Sequence, residues 1–221
     1  MSDQRWHLAG THDQLWAALE AARPGVRSEV ERVHARVAHF EKREVRDFEA
    51  GLLFALAERK NGVGTLFFEI GTCWGWSAAV MAAAAPDALI TTCTPRASHV
   101  EIARRNLEGT GVLVLEARSV NLLPDILGPF DLIFVDGDHE RVADDLPWFD
   151  RLIEGGLMLF HDYCPETAWP RPCRPVYDAL NDFAARLGRE PDVLMTDDRQ
   201  VGMAGWYRRA GEVWDGLRDS G

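Results

Sequence analysis

Two short polar motifs contain side chains that can bind a metal ion or move a proton. Asp136-Gly137-Asp138-His139 follows the apolar run LIFV, and His161-Asp162 follows the apolar run LMLF. In open α/β sheets ligands bind at the carboxyl ends of the strands, so residues that follow neighbouring strands meet in one crevice. Carboxylates gathered there repel one another unless a positive charge lies between them. A divalent cation supplies that charge. Oxygen ligands favour Mg²⁺, and a histidine leaves Mn²⁺ or Fe²⁺ open.

Both motifs also have a purely structural interpretation. Asp136 and Asp138 can form an Asx turn and cap the next helix. His161 can be a core histidine, protonated as the counter-charge of the carboxylates. His139 has an unperturbed pKa that suits a general base, but it can equally be a solvated loop residue. The interpretations differ in whether a chelator removes activity.

A third motif, FFEIGTCWGWS at residues 67–77, has the pattern of a ligand-binding turn. An apolar strand leads into Gly71, three residues separate it from Gly75, and an alanine-rich helix follows from Ser77. Glycine permits a sharp turn and a close approach of backbone N–H groups to a ligand. Gly71→Val is therefore expected to abolish ligand binding while leaving the fold. The spacing is not the G-x-G-x-x-G of dinucleotide-binding proteins, and two glycines can also serve the geometry of the turn alone.

Strands and helices alternate around these motifs, which predicts an α/β fold with a doubly wound, mostly parallel sheet. An antiparallel hairpin, 193–196 and 201–208, closes the sheet. The five apolar strands are predicted at 65–68, 88–93, 112–116, 131–136 and 157–160. The helices are predicted at 77–85, 97–107, 142–153 and 176–187, with a short helix or turn at 122–127.

The segments outside the sheet divide the chain into three parts. Helical spacing predicts a short amphipathic helix within Trp6–Ala22, then one bent helix or two between Val30 and Leu56. We expect an N-terminal helical extension (1–60), a ligand-binding domain (61–210) and a C-terminal tail (211–221). The segment Cys164–Pro175 has four prolines and is predicted to be an ordered, irregular loop that contributes to substrate choice.

The composition limits the partners of the chain. Its 221 residues include 24 Lys and Arg against 35 Asp and Glu, for a net charge of −11. This acidity disfavours nucleic acid and anionic membrane and favours a small neutral or cationic substrate. No apolar stretch is long enough to span a membrane, and the N-terminus lacks a signal-peptide pattern. We therefore expect a cytoplasmic protein.

Cysteines and aromatic residues give two further expectations. The four cysteines have neither C-x-x-C spacing nor a zinc pattern, so we expect reduced thiols. A Cys164–Cys173 disulfide is the alternative. Trp6, Trp16 and Phe40 add more apolar surface than one sheet edge needs, which indicates a homodimer or larger assembly.

Together the three motifs resemble those of class I S-adenosylmethionine-dependent methyltransferases. The match runs from about residue 48 to residue 163 and includes FEIGTCWGWS, FDLIFVDGDHERVADDLPWF and IEGGLMLFHDY. It is similar above all to the metal-dependent small-molecule O-methyltransferases of the macrocin and sugar type. This resemblance implies a Rossmann-like sheet of seven strands with the last one antiparallel. It also implies S-adenosylmethionine as methyl donor, Mg²⁺ as the metal and a small hydroxylated substrate.

The resemblance also implies individual roles. The metal would lower the pKa of the substrate hydroxyl, and the methyl group would be transferred in line, helped mainly by positioning. Asp136 and His139 would be catalytic, with His139 near the position of a related enzyme's basic residue. The implied metal ligands are Asp136, His161 and Asp162. The implied cofactor-binding residues are Glu69, Gly71, Thr72, Gly75, Trp76, Ser77, Thr94, Ser119 and Asp136.

Two positions depart from the family's pattern. Thr94 stands where the family usually has an acidic residue that binds the ribose hydroxyls. Arg118 stands where an acidic residue often precedes the serine. These departures leave two alternatives. One is a catalytically silent binding or partner protein of the same fold, and the other is a module that binds a phosphorylated nucleotide through Arg96 and Arg118.

Overall fold

The computed structural model describes residues 5–36, 45–126, 128–163, 173–197 and 202–214. The strands are β1 Trp6–Gly10, β2 Leu66–Ile70, β3 Leu89–Thr94, β4 Leu113–Glu116, β5 Phe130–Val135, β6 Leu152–Tyr163, β7 Val193–Asp197 and β8 Gly202–Tyr207. The helices are α1 His12–Ala22, α2 Val26–Arg36, α3 Asp47–Arg59, α4 Trp76–Ala84, α5 Ala97–Asn106, α6 Ser119–Leu122 and α7 Arg174–Leu187. A 3₁₀ segment, His139–Arg151, connects β5 to β6.

These strands form one sheet in the order β1-β7-β8-β6-β5-β2-β3-β4. All neighbours pair in parallel except β8, which is antiparallel to both β6 and β7. The prediction of an α/β, mostly parallel sheet with an antiparallel strand near its end is confirmed. The parallel strands β5, β2, β3 and β4 bring their carboxyl ends to one edge, where a ligand site is expected.

The sheet has eight strands, so the expectation of seven is wrong by one. The additional strand is β1, which lies within the segment predicted to contain the first helix and pairs in parallel with β7. Gly10, at φ 147°, ends the strand. Thr11 then caps α1 through a reciprocal capping box with Gln14. The helix therefore starts at His12, because its N-terminal signal lies at Thr11 rather than at Trp6.

Residues that alternate along the central strands bury both faces of the sheet. In β5, Leu132 and Phe134 pack with α1–α4 on one face, while Ile133 and Val135 pack with the 3₁₀ segment and α7 on the other. Successive side chains of a strand point to opposite faces. A strand with both faces covered is consequently apolar throughout, as the run LIFV indicated.

The predicted helix 142–153 is replaced by the 3₁₀ segment and the first residues of β6. Pro147 lies inside the segment and has no N–H to donate, which disfavours a regular α-helix there. Another proline begins α7, since Pro175 lies in its first turn, where a missing N–H is tolerated. The predicted irregular segment therefore ends before Pro175, and its residues 164–172 lie outside the described part of the chain.

The aromatic residues on which the homodimer expectation rests have different positions. Trp6 and Trp16 are buried in the protein's own core, so they offer no surface to a partner. Phe40 lies outside the described residues, as does Cys164 of the alternative disulfide. The homodimer stays a prediction. Within the described ranges, no helix combines the length and apolar character needed to cross a membrane.

Candidate active site

A cavity of about 630 Å³ opens at the carboxyl ends of the parallel strands. Its wall brings together six of the residues singled out from the sequence, which follow or end five different strands. They are Gly71, Thr94, Ser119, Asp136, His139 and Asp162. Arg118, which is one of the two departures from the family pattern, and Arg96, near the other at Thr94, also line the cavity. The strand exits thus converge as parallel topology requires.

Position 71 must be a glycine, because the backbone of Asp136 lies directly against it. Its φ is 109°, and a Cβ built on it would lie 1.9 Å from the carbonyl oxygen of Asp136. Real atoms do not approach so closely, so any side chain here would push apart the exits of β2 and β5. The expectation was that Gly71→Val would abolish ligand binding and leave the fold intact. The structure contradicts the second part, because the space beside Gly71 is filled by the backbone of Asp136.

Gly75 and Trp76 contact other parts of the protein rather than the cavity wall. Gly75, at φ 89°, caps α4, and a Cβ on it would meet the Leu107 side chain at 2.9 Å. Trp76 is buried, and its Nε1 donates a hydrogen bond to the Val45 carbonyl at 3.1 Å. Both residues thereby attach the β2–α4 turn to its neighbours. Neither residue is part of the cavity lining, and their contact with a cofactor stays a prediction.

A buried hydroxyl cluster surrounds Glu69 behind the cavity wall. The hydroxyls of Ser77 and Thr92 donate to the two carboxyl oxygens of Glu69, and the Thr72 hydroxyl lies 2.7 Å from that of Thr92. Burial raises the pKa of Glu69 to about 7, because a charged carboxylate is poorly solvated there. The cluster joins β2, β3 and α4 and so fixes the shape of the turn.

Asp136, His161 and Asp162 form the acidic group at the β5–β6 end of the cavity. Nδ1 of His161 lies 3.2 Å from Asp136 Oδ1 and 3.1 Å from Asp162 Oδ2. One potential ligand atom from each residue lies within 4.8 Å of the others. Asp162 has a left-handed φ of 58°, a strained conformation that clusters at functional sites. Two carboxylates and one imidazole nitrogen are a donor set that a divalent cation can occupy.

Glu49 of α3 is the member of the site that the sequence reasoning missed. Its Oε2 lies 3.0 Å from Nε2 of His161. Its Oε1 pairs with Arg46 at 2.6 Å, and Arg46 also pairs with Asp197. Glu49 is fully buried. The available signal was a single carboxylate inside the apolar run of α3, where Lys, Glu, Arg and Asp are almost never buried without a partner.

His161 and the carboxylates around it each favour the charged form of the other. Burial opposes its protonation, yet Asp136 and Glu49 hold the pKa of His161 well above its ordinary value. Burial likewise opposes ionisation of Glu49, but His161 and Arg46 hold its pKa below the ordinary value. A positive charge at this position, either a proton on His161 or a metal ion, is therefore favoured by the surrounding carboxylates.

His139 lies on the cavity wall with its Nε2 2.9 Å from Oδ2 of Asp162. This contact with Asp162 raises the pKa of His139, although partial burial opposes the shift. His139 therefore has a defined partner, which a solvated loop residue would lack. The contact orients the imidazole toward the carboxylates of the site.

Asp145 is a second residue that the sequence reasoning did not single out. It belongs to the 3₁₀ segment, lines the cavity and accepts a hydrogen bond from the Ser119 hydroxyl. Burial raises the pKa of Asp145 to about 6. Asp145 thereby adds a carboxyl to the wall of the cavity beside Ser119.

Comparisons with known proteins agree with this geometry. The profile of a methyltransferase-domain family matches residues 68–163. Catechol O-methyltransferase from Mycobacterium tuberculosis is 32% identical over 149 residues, which cover 62% of this chain and 66% of the relative. Catechol O-methyltransferase from Niastella koreensis is 29% identical over 164 residues, 69% of this chain and 72% of the relative. The chain thus spans about two thirds to three quarters of the curated relatives it matches.

A solved structure extends the likeness of the fold to most of the chain. Cofactor-bound Rv0187 from MTB superposes with a TM-score of 0.65 at 23% identity, covering 89% of this chain and 97% of that one. The region matched by the family profile contains the Gly71 turn, the Asp136 motif and the His161-Asp162 motif. The sheet order, the cavity at its carboxyl edge and these likenesses identify the family. The chain belongs to the class I S-adenosylmethionine-dependent O-methyltransferases.

Proposed function

We propose that this protein methylates a hydroxyl group of a small molecule with the help of a divalent metal ion. The observation that carries the proposal is the group formed by Asp136 and Asp162 on the wall of the cavity and the buried His161 beside them. The residues fit an ion, because Nδ1 of His161 is buried and has no hydrogen-bond partner within the described residues. The names of the two catechol O-methyltransferase relatives make a molecule with adjacent hydroxyls the first substrate to test.

Each residue of the site has a role in this proposal. Asp136, His161 and Asp162 would hold the ion, which when bound supplies a positive charge that lowers the pKa of a substrate hydroxyl. His139 would accept the hydroxyl proton, held in place by its contact with Asp162. The walls around Thr94 and Ser119 would hold the nucleoside part of the cofactor. The cavity would thereby align the hydroxyl oxygen with the methyl group, and positioning would provide most of the rate gain.

Chelation of metal tests the role of the ion. Purified protein is assayed with S-adenosylmethionine and catechol, and the methylated product is measured by mass spectrometry. We expect EDTA to remove the activity and Mn²⁺ or Mg²⁺ to restore it. Asp136→Asn combined with Asp162→Asn is expected to lose rate far more than stability, whereas Asp178→Asn, on the exposed face of α7, retains both. Full activity in EDTA would contradict the metal role and leave His139 as the base.

A calorimetric titration separates the proposal from its alternatives. We expect S-adenosylhomocysteine and S-adenosylmethionine to bind and ATP to bind weakly or not at all. Tight binding of ATP alone would favour a phosphorylated nucleotide held by Arg96 and Arg118, which both line the cavity. Binding of S-adenosylhomocysteine without methyl transfer to any hydroxylated substrate would instead favour a catalytically silent protein.

A further inference from the structure

We propose that the Glu49–His161 pair makes this site select a first-row transition ion, such as Mn²⁺, Fe²⁺ or Co²⁺, over Mg²⁺. The inference rests on the metal site of the proposed function and adds the chemical class of its ion. It replaces the Mg²⁺ implied by the sequence resemblance. Its basis is one ligand atom, Nδ1 of His161, together with the residues that hold this atom in place.

Nδ1 of His161 is a buried nitrogen without a hydrogen-bond partner in the described part of the chain. Oxygens of Asp136 and Asp162 lie 3.2 and 3.1 Å away, so two carboxylates face this nitrogen although it makes no well-formed hydrogen bond within the described residues. Nearly all buried polar atoms in proteins have a partner, so an exception needs an explanation. An ion between Nδ1 and the two carboxylates would satisfy all three groups.

The other ring nitrogen fixes which face of the imidazole is available. Nε2 of His161 lies 3.0 Å from Oε2 of Glu49. A carboxylate at this position accepts the Nε2–H, so an ion that replaces the proton on Nδ1 would meet the lone pair of that nitrogen. Metal-binding histidines almost always donate their second ring N–H to such a group, which fixes the tautomer and makes the ligand more basic.

Arg46 keeps Glu49 in the ionised form that this role requires. Its guanidinium pairs with Oε1 of Glu49 at 2.6 Å and also with Asp197 at the end of β7. A fully buried carboxylate is stable only when it is paired in this way. The series Asp197–Arg46–Glu49–His161 therefore runs from the far part of the sheet to the site and holds the imidazole rigidly.

The chemistry of the donor atoms decides the class of ion. Mg²⁺ prefers an octahedral shell of oxygens and keeps several of its waters. Imidazole nitrogen suits the first-row transition ions, whose affinity for such sites rises from Mn²⁺ through Fe²⁺ to Co²⁺. A preoriented imidazole nitrogen beside two carboxylates consequently favours these ions over Mg²⁺.

The wild-type protein provides the decisive measurement. Metal-free protein is titrated with Mg²⁺, Mn²⁺ and Co²⁺ by calorimetry, and Mn²⁺-loaded protein is examined by electron spin-echo envelope modulation for coupling to ¹⁴N. We expect Mn²⁺ and Co²⁺ to bind at least about tenfold more tightly than Mg²⁺. We also expect a ¹⁴N coupling from a directly bound imidazole. Equal affinities for Mg²⁺ and Mn²⁺, or bound Mn²⁺ without this coupling, would overturn the proposal.

Two variants and one control locate the effect. His161→Asn should abolish the ¹⁴N coupling and bring the affinities for Mn²⁺ and Mg²⁺ close together. Glu49→Gln should weaken Mn²⁺ binding by about 10- to 100-fold while S-adenosylhomocysteine still binds. Glu58 lies on the same helix as Glu49, and Glu58→Gln, which removes its half-buried ion pair with Arg23, should change neither. An equal loss of Mn²⁺ affinity in Glu58→Gln would contradict the assigned role of Glu49.

Failure of this proposal is distinct from failure of the proposed function. If no divalent ion binds, both the ion selectivity and the metal role are wrong, and His161 then carries a proton as the counter-charge. Methyl transfer in EDTA would still show an O-methyltransferase. If Glu49→Gln does not fold, as judged by loss of S-adenosylhomocysteine binding, the wild-type affinities and ¹⁴N coupling decide the question without it.

Discussion

Replacement of Gly71 by alanine should destabilise the whole protein rather than only block a ligand. The new Cβ would lie 1.9 Å from the Asp136 carbonyl oxygen, at a φ of 109°. The strained backbone costs about 1–3 kcal/mol, and forcing an extra methyl into a packed site costs about 1–3 kcal/mol. Together these give a loss of roughly 2–6 kcal/mol, which lowers the melting temperature by about 4–24 °C for a chain of this length.

Gly109 offers a matched control for this prediction. Its φ is 77°, but a Cβ on it would meet no atom within 4 Å, so Gly109→Ala reports the backbone strain alone, about 1–2 kcal/mol. Urea unfolding monitored by circular dichroism gives both free energies, and titration with S-adenosylhomocysteine gives the affinities. The reasoning is refuted if Gly71→Ala loses no more stability than Gly109→Ala while its ligand binding disappears. That result would mean that the ligand, not Asp136, occupies the space.

Three further predictions concern residues of the site and its support. Trp76→Phe should lower the free energy of unfolding by about 1 kcal/mol through the lost bond to Val45 without changing S-adenosylhomocysteine affinity, whereas tenfold weaker binding would place the indole against the cofactor. Arg46→Met should lower the free energy of unfolding by roughly 3 kcal/mol, because it leaves the buried Glu49 carboxylate with one cation fewer. Arg23→Met, at a more exposed pair, should lower it by less than about 1 kcal/mol, and equal losses in urea unfolding would speak against the buried network. Burial raises the pKa of Asp145 to about 6, so the folded state holds this proton more tightly than the unfolded chain, and wild-type stability falls as pH rises through about 6. Asp145→Asn should therefore gain stability relative to wild type between pH 5 and pH 8, by about 1.4 kcal/mol, since about one pKa unit of the shift lies in this interval, and a difference that does not change between these pH values would contradict the assignment.

The sequence predicted the candidate site best where a residue lies at the carboxyl end of a predicted strand, because the strand then fixes the residue's position. Asp136 follows β5 and His161-Asp162 ends β6, and because these strands are parallel neighbours their carboxyl ends necessarily meet. This reasoning needs only the apolar runs and the alternation of strands and helices. It predicted the convergence of the three side chains on one crevice without any knowledge of distances.

The contacts that the sequence did not predict depend on packing between distant segments. Glu49 meets His161 across 112 positions of the chain, and no local pattern specifies that pair. The sequence indicated that a glycine is needed at position 71. The reason is the backbone carbonyl of Asp136, which follows another strand, β5. β1 was missed for a different reason. The apolar spacing at Leu15, Trp16 and Leu19 indicated a helix within Trp6–Ala22, but the residues before its cap at Thr11 were not assigned to a strand.

The position of β1 also bears on the synthesis of the protein. This strand is translated long before its neighbour β7, which comprises Val193–Asp197, and His7 contacts Pro191 across 184 positions. At about 5–20 residues per second, the ribosome needs roughly 10–40 s to make the intervening chain. During that interval β1 has unpaired backbone groups, which invite pairing with other chains. β1 can therefore pair only after β7 has been translated, and early folding of the strands made in between would limit its exposure to other chains.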